Sequence, residues 1–220
     1  MAAGGVDKQR YMVSVHEAED APEAFKFTFV PAGLSRGRVT GGVATRVPQY
    51  IARVTGKPDN PAFDWSASPD APDAAQGELE QIARDRLAAR RAWITRVDDL
   101  VGNVEVWGRE MGWATRRIEK RLDDSGVGLH TIPALLLQED TVRVLLEPVA
   151  RRALGADGVV DLYLMPAYDD IASLYFREGH WYMHYVFQGS RATGIEEAES
   201  TPLSKETLTA VLREMKKHAQ

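Results

Sequence analysis

The sequence predicts an α+β protein: an antiparallel β-meander of about six strands, with a long helix before it and a C-terminal helix after it, both on one face of the sheet. Three observations predict it. Apolar residues between Glu78 and Met111 recur at helical spacing. Between residues 115 and 187 the chain breaks into short apolar or alternating runs separated by tight turns. From Lys205 to His218 a second helical pattern follows Ser204, a good N-cap, and Glu206 falls in its first turn.

Before the long helix the chain has two textures. Residues 1–55 read as short strands. Phe25, Phe27 and Phe29 alternate with Lys26 and Thr28, as on a half-buried strand, and Tyr11, Val13 and Val15 alternate more weakly. SRGRVTGG at 35–42 reads as a glycine loop, and Pro48 interrupts a strand-like run from Val43 to Val54. Residues 56–76 carry four prolines and four aspartates in 21 positions, so a loop is predicted there, with Phe63 and Trp65 pinning it to the body. Residues 77–220 then form the α+β domain.

In that domain the helical stripe is Leu79, Ile82, Leu87, Trp93, Ile94, Val97, Leu100, Val101, Val104 and Trp107. Unbroken, the helix would span roughly 50 Å. Gly102 and Gly108 are the places for a kink or a division into two helices. Thr115–Leu122 is charged, as suits an edge strand. Ala134–Gln138 is continuously apolar and is predicted to be central. Val142–Val149 and Val159–Met165 flank a Gly-Ala-Asp-Gly turn. Ile171–Phe176 and Trp181–Phe187 flank Glu-Gly and read as a hairpin.

Composition narrows the chemistry. Of 220 residues, 44% are hydrophobic and 27% charged, which is the balance of a globular chain. There are no cysteines, which excludes disulfides, thiolate metal sites and cysteine nucleophiles, and fits a cytoplasmic location. The opening residues lack the apolar core of a secretory signal, and no run has the ~18 apolar residues of a membrane span. The net charge of −5 offers no general attraction for nucleic acid.

Strand alternation sorts the side chains of the meander into two faces. If Arg177 pairs with His180 across the turn, one face takes Val142, Val144, Leu146, Val160, Leu162, Leu164, Ala172, Leu174, Phe176, Trp181, Met183 and Tyr185, and should meet the helices. The reverse face then collects Arg143, Glu147, Asp161, Tyr163, Ser173, Tyr175, Tyr182 and His184, with Leu145 and Met165 among them. Aromatic rings with a few polar groups suit a ligand surface, and a histidine with two carboxylates suits acid–base work. The plainer reading is a face covered by residues 1–75, with tyrosine hydroxyls bonded internally. A slip of one residue would exchange the faces.

Other motifs carry less. His180 and His184 have helical metal-pair spacing but lie in a strand, where four residues span about 13 Å. Tyr168-Asp169-Asp170 reads as a turn whose aspartates bond their own backbone, though adjacent carboxylates can hold Mg²⁺ or Ca²⁺. The 35–42 loop lacks a phosphate-loop pattern, and Ser190 lacks a nucleophile elbow. Residues 84–121 hold nine arginines and one lysine against six acidic residues; a solvated, internally paired face is the plain reading and a nucleic-acid surface the other. No cofactor and no metal is expected. The function expected is non-catalytic protein binding, in which the meander sheet and the long helix engage a partner or a second copy, with Trp93 and Trp107 of the helix as candidate dimer anchors. The alternatives are a small hydrolase using Glu147, Asp161 and His184, and a nucleic-acid-binding protein.

Overall fold

The computed structural model describes residues 11–18, 21–31, 49–57, 60–67, 76–124, 126–168, 170–187 and 199–219. The chain divides into two compact units, residues 1–88 with 125–128, and residues 89–124 with 129–220. The division falls after Ala88, inside a helix.

The first unit is a four-stranded antiparallel sheet in sequential order: β1 (Tyr11–Ala18), β2 (Ala21–Pro31), β3 (Gln49–Lys57) and β4 (Asn60–Ala67). The alternating phenylalanines lie in β2, as their period requires. β4 corrects the reading of 56–76 as loop. Its residues pair with β3 from Tyr50↔Ala67 to Lys57↔Asn60. The prolines masked a true alternation: Phe63 and Trp65 are half-buried while Ala62, Asp64 and Ser66 are exposed. Pro61 is tolerated because β4 is an edge strand. Phe63 and Trp65 pack with Ala52, Val54, Leu79, Ile82, Ala83 and Leu87 in a small core. The glycine loop at 35–42, Ser190 and the run up to Pro48 lie outside the described residues.

α1 (Gln76–Glu110) is one unbroken helix, so neither Gly102 nor Gly108 divides it. Gly108 serves a close approach instead: a Cβ there would sit 2.9 Å from Leu137 Cδ2. The helix ends where Gly112, at φ +89°, takes the left-handed conformation. The Gly112 N–H donates to the Arg109 carbonyl and the Trp113 N–H to the Gly108 carbonyl (2.9 Å), the two bonds of a Schellman close. That turn returns Trp113 to the core.

The second unit holds a seven-stranded antiparallel sheet, one strand more than the sequence suggested. Its strands are β5 (Ala114–Asp124), β6 (Gly128–Glu139), β7 (Val142–Ala150), β8 (Val159–Met165), β9 (Ile171–Arg177), β10 (His180–His184) and β11 (Ser200–Pro202), followed by α2 (Lys205–His218). β11, only three residues long, carries too little pattern to be read. Spatial order follows chain order reversed, β11 to β5, so the charged β5 is an edge. β6 is second from that edge, not central. Its apolar run reflects one buried and one half-covered face: Leu135 and Leu137 join the main core, and Leu136 on the reverse face is half-buried. Core-facing parity changes between Ile132 and Leu135, across Pro133. α2 opens with a capping box, the Ser204 hydroxyl accepting from Thr207 N–H and the Thr207 hydroxyl accepting from Ser204 N–H.

Both helices lie against one face of this sheet. Trp93, Val97, Leu100, Val101 and Val104 of α1 share a core with Leu208, Val211, Leu212 and Met215 of α2, and with Val144, Leu146, Val160, Leu162, Leu164, Ala172, Leu174 and Met183.

Candidate functional site

The hairpin register is the one that sorts the faces. His180 pairs with Arg177, Tyr182 with Tyr175 and His184 with Ser173. β8 pairs Asp161 with Ser173, and β7 pairs Glu147 with Asp161 and Leu145 with Tyr163. Val160, Leu162 and Leu164 are buried in the core, while Asp161, Tyr163 and Met165 are half-buried on the reverse face.

Because adjacent strands are paired in register, the reverse face is a grid of cross-strand rows. One row is polar: Glu147, Asp161, Ser173, His184 and Ser200. The next is largely apolar: Leu136, Leu145, Tyr163 and Ile171. On the other side of the polar row lie Val159, Tyr175, Tyr182 and Pro202. Arg143, opposite Met165, sits exposed at the far end of the grid, four positions along β7 from Glu147.

Most groups of the polar row are bonded to one another or to their neighbours, the exception being Asp161 Oδ1, which is buried with no hydrogen-bond partner among the described residues. Lys120 of β5 reaches Glu147 Oε1 at 2.9 Å and donates to the Pro148 carbonyl at 2.9 Å. Tyr163 donates to Asp161 Oδ2 at 2.9 Å. Burial pushes the Asp161 carboxyl above its ordinary pKa, against the lowering pull of the Ser173 and Tyr163 hydroxyls. Burial likewise raises the Tyr163 hydroxyl, and the Asp161 carboxylate adds to the effect. His184 is buried, edge-on to the Tyr175 ring at 5.0 Å, with its Nε2 3.4 Å from Arg177 Nη2. The Arg177 guanidinium in turn lies 5.3 Å from the Tyr175 ring centre.

This geometry separates the acid–base set proposed from the sequence. Glu147 and Asp161 are neighbours, but Ser173 stands between Asp161 and His184. Two strand spacings put the latter pair about 10 Å apart at the backbone. One proton cannot pass directly between them. Lys120, Arg177 and Tyr168 belong to the site but were missed. Tyr168, exposed, lies tilted against Tyr163 with ring centres 5.3 Å apart. Lys120 was visible only as part of the basic stretch 84–121, because nothing local relates β5 to β7.

The remaining candidates also resolve. Asp170 accepts from the Tyr185 hydroxyl at 3.0 Å and lies 2.7 Å from His218 Nδ1, so its partners come from β10's end and α2. Asp169 lies outside the described residues. No group of three or more metal-ligating side chains occurs among the described residues. In the basic stretch, Arg84 pairs with Glu80, Arg109 with Glu105, and Arg117 with both Asp98 and Glu105 at 2.7 Å. The hydrogen bond from Arg117 holds the Glu105 carboxyl below its ordinary pKa. Arg96 donates to the Asp157 carbonyl and covers the Phe176 ring at 4.1 Å.

No described helix is long and apolar enough to cross a membrane. Compared with family models, curated proteins and solved structures, the chain matches none.

Proposed function

We propose that this is a non-catalytic, self-associating binding protein of the cytoplasm, which sets the reverse face of its seven-stranded sheet against the same face of a second copy. The observation that carries this reading is the cross-strand row Leu136, Leu145, Tyr163 and Ile171, flanked by Tyr168. Its side chains are half-buried or exposed, while the opposite face of the sheet packs against the helices. An isologous contact lays such a row against its twin, which is the commonest symmetry of soluble assemblies. Tyrosines are favoured anchors in such contacts. In the polar row beside it Lys120 already pairs with Glu147 and Tyr163 bonds Asp161 Oδ2, while the buried Asp161 Oδ1 has no hydrogen-bond partner among the described residues.

The hydrolase reading has less support. Asp161 and Glu147 are adjacent carboxyls in different environments, a feature of acid–base pairs. Glu147 is paired with Lys120, Asp161 Oδ2 accepts from Tyr163, and the histidine is two strands from Asp161. The nucleic-acid reading loses support from the pairing of Arg84, Arg96, Arg109 and Arg117 within the protein.

Light scattering during size exclusion tests the proposal. At about 100 μM the wild type should run at twice 24.4 kDa, and Ile171→Glu should return it to 24.4 kDa. A wild type that stays at 24.4 kDa at that concentration overturns the reading.

A further inference from the structure

A cavity of about 350 Å³ lies between the end of α1, the end of β6 and the outer side of α2. Its wall includes Met111, Trp113, Thr209 and Leu212, with Glu139, Arg213 and Lys216 as the charged groups. The volume is at the small end of ligand-sized pockets. The Schellman close at Gly112 creates it, because that turn delivers Trp113 beneath α2 with 5% of its surface exposed.

The polar groups around this cavity differ in how far they are committed. Thr209 donates to the Lys205 carbonyl at 2.6 Å and approaches the Met111 sulfur at 2.9 Å. Lys216 is held by Glu139 at 3.0 Å, with Asp140 at 3.8 Å. Arg213 is exposed and makes no hydrogen bond or ion pair with the described residues. The cavity thus combines an apolar floor of Met111, Trp113 and Leu212 with one exposed guanidinium that has no partner among the described residues. The larger cavity of about 670 Å³ beside α1 differs on this point. Its only guanidinium, Arg117, is already bound by Asp98 and Glu105.

We propose that the cavity at Trp113 binds a small carboxylate with a flat or branched apolar body. The body would fill the space against Trp113 and Met111, and the carboxylate would face Arg213. A guanidinium meets a carboxylate through two parallel N–H donors, which selects it over a neutral group of equal size. This site is independent of the reverse sheet face and of any self-association there.

Isothermal titration with 2-naphthoate provides the test, with 2-naphthalenemethanol as the uncharged counterpart. The wild type should bind the carboxylate with Kd of about 1 mM or tighter. The alcohol should bind roughly tenfold more weakly, and Arg213→Gln should weaken the carboxylate by a similar factor. Arg213 is exposed, so its replacement leaves the core of α2 intact. Absence of naphthoate binding to the wild type overturns the proposal. So does equal affinity for the alcohol, or unchanged affinity in Arg213→Gln.

Discussion

The two faces of the seven-stranded sheet come from the same strands and differ by one residue of phase. On the helix-covered face, Val144, Leu146, Val160, Leu162, Ala172 and Leu174 are all at 0% exposure. On the reverse face the alternate residues are Leu145, Glu147, Asp161, Tyr163, Ser173 and Tyr175, mostly half-buried, with Tyr163 bonded to Asp161 and Glu147 paired with Lys120. The first face is held by shape and exclusion of water, and is intolerant of volume change. The second is held by specific polar partners set beside an apolar row, and is tolerant of it. The difference teaches that dense apolar packing resides on one side of the sheet and polar partnering on the other.

The strongest way to break this comparison is to remove the same atoms from each face. Leu162→Ala, within the core, should cost about 2–5 kcal/mol in urea unfolding. Leu145→Ala, half-buried one row away, should cost about 1 kcal/mol or less. Equal costs would mean that the reverse face is as densely packed as the other, and the contrast would fail.

A smaller loss should follow from adding volume to the covered face. A Cβ at Gly158 would lie 2.6 Å from Trp93 Cζ3 and 3.3 Å from Trp181 Cη2. Trp93, the nearer ring, is buried in the core and cannot swing clear, and the half-buried Trp181 packs against that core. Gly158→Ala should therefore lower stability by about 1–3 kcal/mol, read from the same urea transition. A neutral result would show that the two indoles have room to move.

The smallest effect, and the one of opposite sign, belongs to the reverse face. Burial raises the Asp161 carboxyl above its ordinary value of 3.8, so the folded state binds its proton more tightly than the unfolded state does. This contribution is present at low pH. It is lost as pH rises from the ordinary value through the folded one. An asparagine side chain at this position does not titrate and retains an oxygen that can accept from Tyr163. Asp161→Asn should thus raise Tm slightly at neutral pH, with the gain shrinking as pH falls through the raised folded value and gone below the ordinary value of 3.8. A Tm that falls at neutral pH would show that the charge-assisted bond from Tyr163 outweighs desolvation.

Much of the architecture was legible because its signals are local. Helix periodicity placed α1 and α2 to within two residues at each end, since an amphipathic stripe and an N-cap are readable along the chain. The Glu-Gly turn set the pairing of Arg177 with His180, and alternation carried that register outward to both faces. Where local signals competed, the reading failed. Prolines concealed β4, although Phe63 and Trp65 alternate correctly with exposed neighbours. α1 stayed whole through two glycines because tertiary packing fills the space against Gly108.

What the sequence determined by itself was which side chains share a face, because that follows from a period of two and a tight turn. What only the tertiary structure decided was how they meet across strands: Lys120 on Glu147, Ser173 between Asp161 and His184, and Trp113 under Arg213. Those relations join residues far apart along the chain. Strand order, helix ends and burial set them, and none of these is encoded in any window of neighbouring residues.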